Sequence, residues 1–293
     1  MIDLNVAQNQ LLKYTSFNLA KILFKNAINM TKFFLKHPYE IKNRFIEKRN
    51  NLVDKEINLE WSNIDSIFSN LKTLTSQEYT KYNHISEFEH QAGRFLNMQK
   101  IAKEVSLDNL GGDVIEFGTW QGLGLCMLSQ SFDQDTTFRN FIGIDSFQGL
   151  PNSSTIWKEN TFNNTSTEVV RSNFSRYSHN KTFHKLVLIE SLFNKIGLAK
   201  ELKEITKNVS IIHFDADLGN STWDALKVSE MLLNSSSQPV YYLFDDWGWH
   251  PDEVPEAFYD WKADFSKYNI INTTKICSTR YSRYYKVTTK NLE

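Results

Sequence analysis

The chain has 293 residues, above the usual size of a single core, so one large domain with an appendage is expected. Hydrophobic residues make up 41% of it, enough for a substantial core, and a formal net charge of −1 gives no support for nucleic-acid binding by the whole protein. The two cysteines, Cys126 and Cys277, lie far apart without metal-ligand spacing, which disfavours a disulfide scaffold and makes a reducing, cytoplasmic setting the simplest one.

The first residues lack a basic stretch followed by an apolar one, so a secretory signal is not expected, and no apolar run reaches the length of a membrane span. Residues 1–50 carry nine Lys/Arg and three Asp/Glu, an excess of +6 that leaves −7 on the remainder. Lys21, Lys25, Lys32 and Lys36 share one helical stripe, with Leu19, Leu23, Met30, Phe33 and Phe34 on the opposite side. His37-Pro38 ends this helix, because the residue before proline is pushed out of the α region. Such a helix can lie on an anionic membrane surface. It can equally pack its apolar side on the following domain or on a second subunit, and packing is preferred because it demands only ordinary burial. A homo-oligomer is expected. Further helix is predicted at 39–56, around 64–74 and at 86–106, the last from the recurrence of Phe88, Ala92, Phe95, Leu96, Ile101, Ala102 and Val105. The polar, aperiodic TSQEYTKYNH places a boundary near 80–86, giving an N-terminal helical region at 1–85 and a second domain at 86–293.

From there the pattern alternates. Strands are predicted at 113–117, 140–144, 185–189, 209–214 and 240–244 with helices between them, and KICSTRYSRYYKV forms a closing hairpin. That is the alternation of an α/β fold with a doubly wound, mostly parallel sheet. After the first strand, Gly118 and Gly122 flank Thr119-Trp120-Gln121, and Gly124 follows. Glycines at a strand-to-helix turn let the backbone approach a ligand and present amides to it. Their spacing does not match the dinucleotide fingerprint G-x-G-x-x-G, which argues against a nicotinamide enzyme. The second strand ends in Asp145, placed to accept hydrogen bonds from a ribose diol. A long polar segment at 146–168, with Trp157 and Phe162, is either a lid or a surface loop.

Two acidic clusters close the fourth and fifth strands: Asp215-Ala216-Asp217 after KNVSIIHF, and Asp245-Asp246 after QPVYYLF. Carboxylates ending two neighbouring strands meet in one cleft, where they repel or take up protons unless a divalent cation satisfies them. Asp217 can instead cap the helix that follows. Hard oxygen ligands without a Cys/His cluster favour Mg²⁺, or Mn²⁺ or Ca²⁺, over Zn²⁺. Asp217 and His250 are the candidate general bases, and Trp247 and Trp249 form either an apolar wall for a sugar ring or part of the core.

IEFGTWQG, GIDSFQGLP, IIHFDADLGNST and FDDWG, in this order and spacing, resemble the macrocin O-methyltransferase family over about residues 86–293. The resemblance implies a class I, Rossmann-like methyltransferase that uses S-adenosyl-L-methionine to methylate hydroxyls of sugars or glycosylated small molecules, with Mg²⁺ at the acceptor site. It places Glu116, Gly118, Thr119 and Gly122 in the cofactor loop and Asp145 on the ribose with Ser146 beside it. Asp215, Asp245 and Asp246 would be the metal ligands. Three positions depart from the family pattern: Gly219 replaces a usual Tyr, Ser191 a frequent Gly, and SSSQP a Gly pair. The first bears on the acceptor pocket. The alternative is a non-catalytic methyltransferase-fold binding protein with a peripheral or scaffold role, against which the retention of every acid counts.

Overall fold

The structure is a computed structural model that describes Ile64 and residues 86–152, 157–178, 182–247, 253–279 and 281–291, all within the unit Glu56–Glu293. The basic N-terminal helix, the helix at 39–56 and, apart from Ile64, that at 64–74 lie outside the described residues. In chain order the elements are α1 (Ser86–Leu107), β1 (Asp113–Phe117), α2 (Leu123–Ser131), β2 (Arg139–Asp145), α3 (Thr167–Tyr177), β3 (His184–Glu190), α4 (Leu198–Ile205), β4 (Val209–Phe214), α5 (Gly219–Leu233), β5 (Val240–Phe244), α6 (Val254–Phe265), β6 (Asn269–Ser278) and β7 (Arg283–Asn291). All five parallel strands fall within a residue of their predicted limits. The hairpin is present, with β6 reaching further back than expected.

These strands form one seven-stranded sheet of order β3-β2-β1-β4-β5-β7-β6. The first five strands run parallel, and β7 pairs antiparallel with both β5 and β6. Every residue of β1, β4 and β5 is buried, as central parallel strands must be when helices cover both faces. Period-2 alternation sends Ile115, Phe117, Ile212, Phe214, Tyr242 and Phe244 into one core with α4, α5 and α6. Val114, Ile211, Tyr241 and Leu243 enter the other with α1, α2 and Phe174 of α3. The result is a three-layer α/β/α sandwich. Strands β2 and β4 flank β1 on opposite sides, so the chain reverses direction across the sheet at β1/β4, and the crevice beyond their carboxyl ends is where such folds bind ligands.

Helix α1 differs in detail from its prediction. Leu96, expected on the apolar face, is 53% exposed, and the buried stripe runs through His90, Arg94, Met98, Ile101, Ala102 and Val105. The reason is positional: residues 90, 94, 98, 101 and 105 recur at helical spacing on the side facing the sheet, and two of them are polar.

Candidate active site

The carboxyl ends of the parallel strands are drawn tightly together. Gly118 ends β1 with φ +87°, and a Cβ there would overlap the Asp215 carbonyl oxygen. Only glycine fits. Trp120, Phe147, Asp217 and Asp246 follow β1, β2, β4 and β5 respectively, and each has φ between 44° and 56°. Non-glycine residues in this region carry roughly 1–3 kcal/mol of strain each and persist where the surroundings enforce them. Four of them ring one end of the sheet.

Asp145 organises the half of this rim nearest β2. Its Oδ2 accepts the Trp120 amide at 2.8 Å and its Oδ1 the Phe147 amide at 2.7 Å, so it ties the loop after β1 to the end of β2. Burial pushes its carboxyl up, and those amides oppose the rise. Ser146 caps a local turn: its Oγ donates to the Gly149 carbonyl and accepts the Gln148 amide. Gly122 is the N-cap of α2, at φ +87°. Thr119, 2% exposed, has a hydroxyl with no hydrogen-bond partner among the described residues. Of the segment 146–168, Phe162, Asn164 and Thr165 touch the Gly loop. Trp120 Nε1 donates to Asn164 Oδ1, Gln121 Nε2 to the Asn164 carbonyl and Thr165 Oγ1 to the Trp120 carbonyl, while Phe162 packs edge-on against Trp120. These contacts tie this part of the segment to the Gly loop.

The acidic half has a counter-charge that the sequence reading did not foresee. Arg94 of α1 donates from Nη2 to Asp215 Oδ2 at 2.7 Å and from Nη1 to Asp245 Oδ2 at 2.6 Å. His90 Nε2 lies 3.2 Å from Asp245 Oδ1, and Ser282 Oγ donates to the same oxygen at 2.7 Å. Burial alone would raise Asp245, but Arg94 and His90 outweigh it and hold the carboxyl below its ordinary range. Burial pushes Asp215 up against Arg94, and the charge of Asp245 adds to the rise. Asp217 and Asp246 have no salt-bridge partner among the described residues. Burial raises both well above the ordinary value, with Asp215 the next contributor for Asp217 and Asp217 the next for Asp246. Asp145 also contributes to the rise of Asp217, so the two halves share one electrostatic cleft.

Glu116 is not on the loop surface. It is fully buried beneath the start of α2, where a Cβ on Gly124 would overlap its Oε1, and that oxygen is 2.9 Å from His213 Nδ1. Burial, then Asp215, raises Glu116, while burial, then Arg94, lowers His213 to about 3, so a neutral imidazole faces the carboxyl group. Glu116 Oε2 has no hydrogen-bond partner among the described residues. Among the described residues, the potential metal-ligand atoms that gather within 4.8 Å of one another belong to Glu116, His213 and Asp215. Asp245 stands outside that group, turned to Arg94, His90 and Ser282.

His250 and Trp249 lie outside the described residues. Trp247 is core, packed against Phe244, Phe258 and Tyr285. Gly219 opens α5 with the backbone of Glu253 3.1 Å from where its Cβ would stand, and its amide donates to Glu253 Oε2. The segment before α6 therefore takes the space that a tyrosine would need. Arg94 and His90 went unforeseen because a helix period reports apolar positions. Their signal was their place on the same stripe as Met98, Ile101 and Val105.

The macrocin-O-methyltransferase family model matches residues 90–276. A curated relative, the demethyldecarbamoylnovobiocin O-methyltransferase of Streptomyces niveus, is 27% identical over 186 residues, covering 59% of this chain and 66% of the relative. The chain thus spans just under two thirds of that relative's length. Two solved structures share the fold: the O-methyltransferase NovP (23% identity, TM-score 0.54, 67% of this chain and 80% of that one) and the calicheamicin methyltransferase CalS11 (17%, TM-score 0.52, 76% and 90%).

Proposed function

The chain belongs to the macrocin O-methyltransferase family, and from that premise we propose that it moves a methyl group from S-adenosyl-L-methionine to a hydroxyl of a sugar or glycosylated small molecule, assisted by a divalent cation. One observation carries the reading: the glycine cradle at Gly118, the Asp145 anchor and the carboxylates Asp215, Asp217, Asp245 and Asp246 all sit at one end of the sheet, across the β1/β4 crevice. The named substrate of the Streptomyces niveus relative supports a small-molecule acceptor.

The residues fit both absent groups. On the cofactor side, Gly118 keeps the backbone open to close approach, and the Thr119 hydroxyl beside it has no partner among the described residues. On the metal side, Asp215, Asp245 and Asp246 form an all-oxygen set. Such a set suits one hard divalent cation, Mg²⁺ first, whose charge would oppose the burial that raises Asp215 and Asp246. When bound, the cofactor supplies an electrophilic methyl and the cation lowers the pKa of the acceptor hydroxyl. The protein's share is orientation and charge. Asp145 would hold the loop at the cofactor's edge, Phe162, Asn164 and Thr165 would shield that loop from water, and Asp217 would take up the hydroxyl proton as the base. His250 is the second candidate base. A non-catalytic binding role has no comparable support, because the acids are all retained.

The same reading assigns residues 1–85 to a helical appendage and 86–293 to the methyltransferase domain, supported by the family match from residue 90, whereas the compact units divide at Lys55/Glu56. It also carries a cytoplasmic location and a homo-oligomer as proposals, with the basic helix packing on the domain or a second subunit in preference to peripheral membrane contact. Among the described residues no helix is long and apolar enough to cross a membrane.

Turnover of S-adenosylmethionine against a panel of sugar hydroxyls tests the assignment. Chelation abolishes activity and Mg²⁺ restores it; Asp245→Ala and Asp246→Ala lose activity yet bind the cofactor normally. Full activity in excess chelator rejects the role of the cation.

A further inference from the structure

Arg94 is 1% exposed, and its two terminal nitrogens go to carboxylates at the ends of two different strands. Its Nε, also buried, has no hydrogen-bond partner among the described residues. A lone counter-ion would not need this arrangement, since an ammonium can neutralise charge without a fork, and an unsatisfied buried donor is unfavourable. What a planar guanidinium adds is direction: two carboxylates on one fork are held at a fixed separation and angle. Here both engaged oxygens are Oδ2 atoms, so Asp215 and Asp245 turn toward the same group. Asp245 is locked further by Ser282 and His90 on Oδ1, while Asp215 Oδ1 makes no hydrogen bond among the described residues.

We infer that Arg94 is a positioning residue of the cation half of the site, and that its fork, carried on the helix before the first strand, sets the directions of Asp215 and Asp245. This rests on the proposed metal-assisted reaction and extends it, because it makes α1 a structural part of a site otherwise built from strand ends. Helix α1 is fitted to the task. His90 and Arg94 lie one turn apart on its buried stripe, and Met98, Ile101, Ala102 and Val105 fix that stripe in the core. Groups that orient metal ligands from outside the coordination sphere change metal affinity by about 10–100-fold when removed.

Charge and geometry are separable here. Arg94→Lys keeps the positive charge but loses the fork, and Arg94→Met loses both. Mn²⁺ binding to the full chain is measured by electron paramagnetic resonance, and S-adenosylmethionine binding by calorimetry. Positioning predicts that Arg94→Lys weakens Mn²⁺ at least tenfold while the cofactor dissociation constant stays within about twofold. Mn²⁺ affinity equal to wild type in Arg94→Lys, or tighter binding in Arg94→Met, makes Arg94 a counter-ion or a competitor and overturns the inference. Near-UV circular dichroism checks folding. If Arg94→Lys does not fold, Arg94→Met carries the test: loss of a competing counter-ion alone would tighten Mn²⁺ binding, so a weakening of at least tenfold supports positioning and equal or tighter binding overturns it. A wild type that binds no Mn²⁺ overturns this inference together with the metal-assisted reading, whereas normal wild-type binding with an unaffected Arg94→Lys overturns the inference alone.

Discussion

In the proposed function Asp145 would join two roles in one carboxylate. Its oxygens already accept the Trp120 and Phe147 amides, and each oxygen keeps a lone pair for a ribose hydroxyl. Asp145→Ala is expected to weaken S-adenosylmethionine binding by about 1.5–3 kcal/mol, the value of a hydrogen bond to a charged group. Calorimetry reads this directly, and an unchanged dissociation constant removes Asp145 from the cofactor site. Gly118 makes a different claim, about backbone. Gly118→Ala places a Cβ in a left-handed conformation and into the Asp215 carbonyl, so a stability loss of about 2–5 kcal/mol is expected in urea denaturation; a loss below 1 kcal/mol contradicts the close approach of these strand ends. Both residues were legible in the sequence, because a strand followed by glycine or by an acid announces its place in an open sheet. The partner of the acids was not. Arg94 lies 121 positions from Asp215, and nothing local to either residue links them.

At the scale of elements, strands were the easier reading. DVIEF, VSIIHF and VYYLF are short, β-branched or aromatic, and fully buried, so composition alone marks them. Helix α1 was harder, since Phe95 and Leu96 mimic an apolar face while His90 and Arg94 occupy the real one. Another polar link escaped for the same reason. His184 on β3 places Nδ1 2.9 Å from Ser129 Oγ of α2, which is 2.7 Å from Ser178 Oγ just after α3. Burial, with Arg139 adding, lowers His184 to about 4. The unfolded chain binds this proton near pH 6.5 and the folded chain does not. The contribution to stability is therefore complete above about pH 6.5 and is lost as the pH falls toward 4. Urea midpoints at pH 7.5 and 5 should fall less in His184→Gln than in wild type, and equal falls contradict the shift.

For the whole molecule, topology explains why residues from such distant parts of the chain act together. The order β3-β2-β1-β4-β5 sets β1 and β4 side by side, so a glycine at 118, an acid at 145 and acids from 215 to 246 arrive at one rim. Strand order is not written in any one segment, and the sequence carried it only through the order of its motifs and their family resemblance. The acceptor pocket was least legible. Gly219 leaves room that Glu253 enters from the segment before α6, an exchange between residues far apart in the chain. The central claim is that this rim holds S-adenosylmethionine. Isothermal titration of the full chain with S-adenosylmethionine, with and without Mg²⁺, tests it most directly. The account predicts one saturable site per chain, displaced by the demethylated product and retained without the cation. No saturable binding at millimolar cofactor in either condition would contradict it.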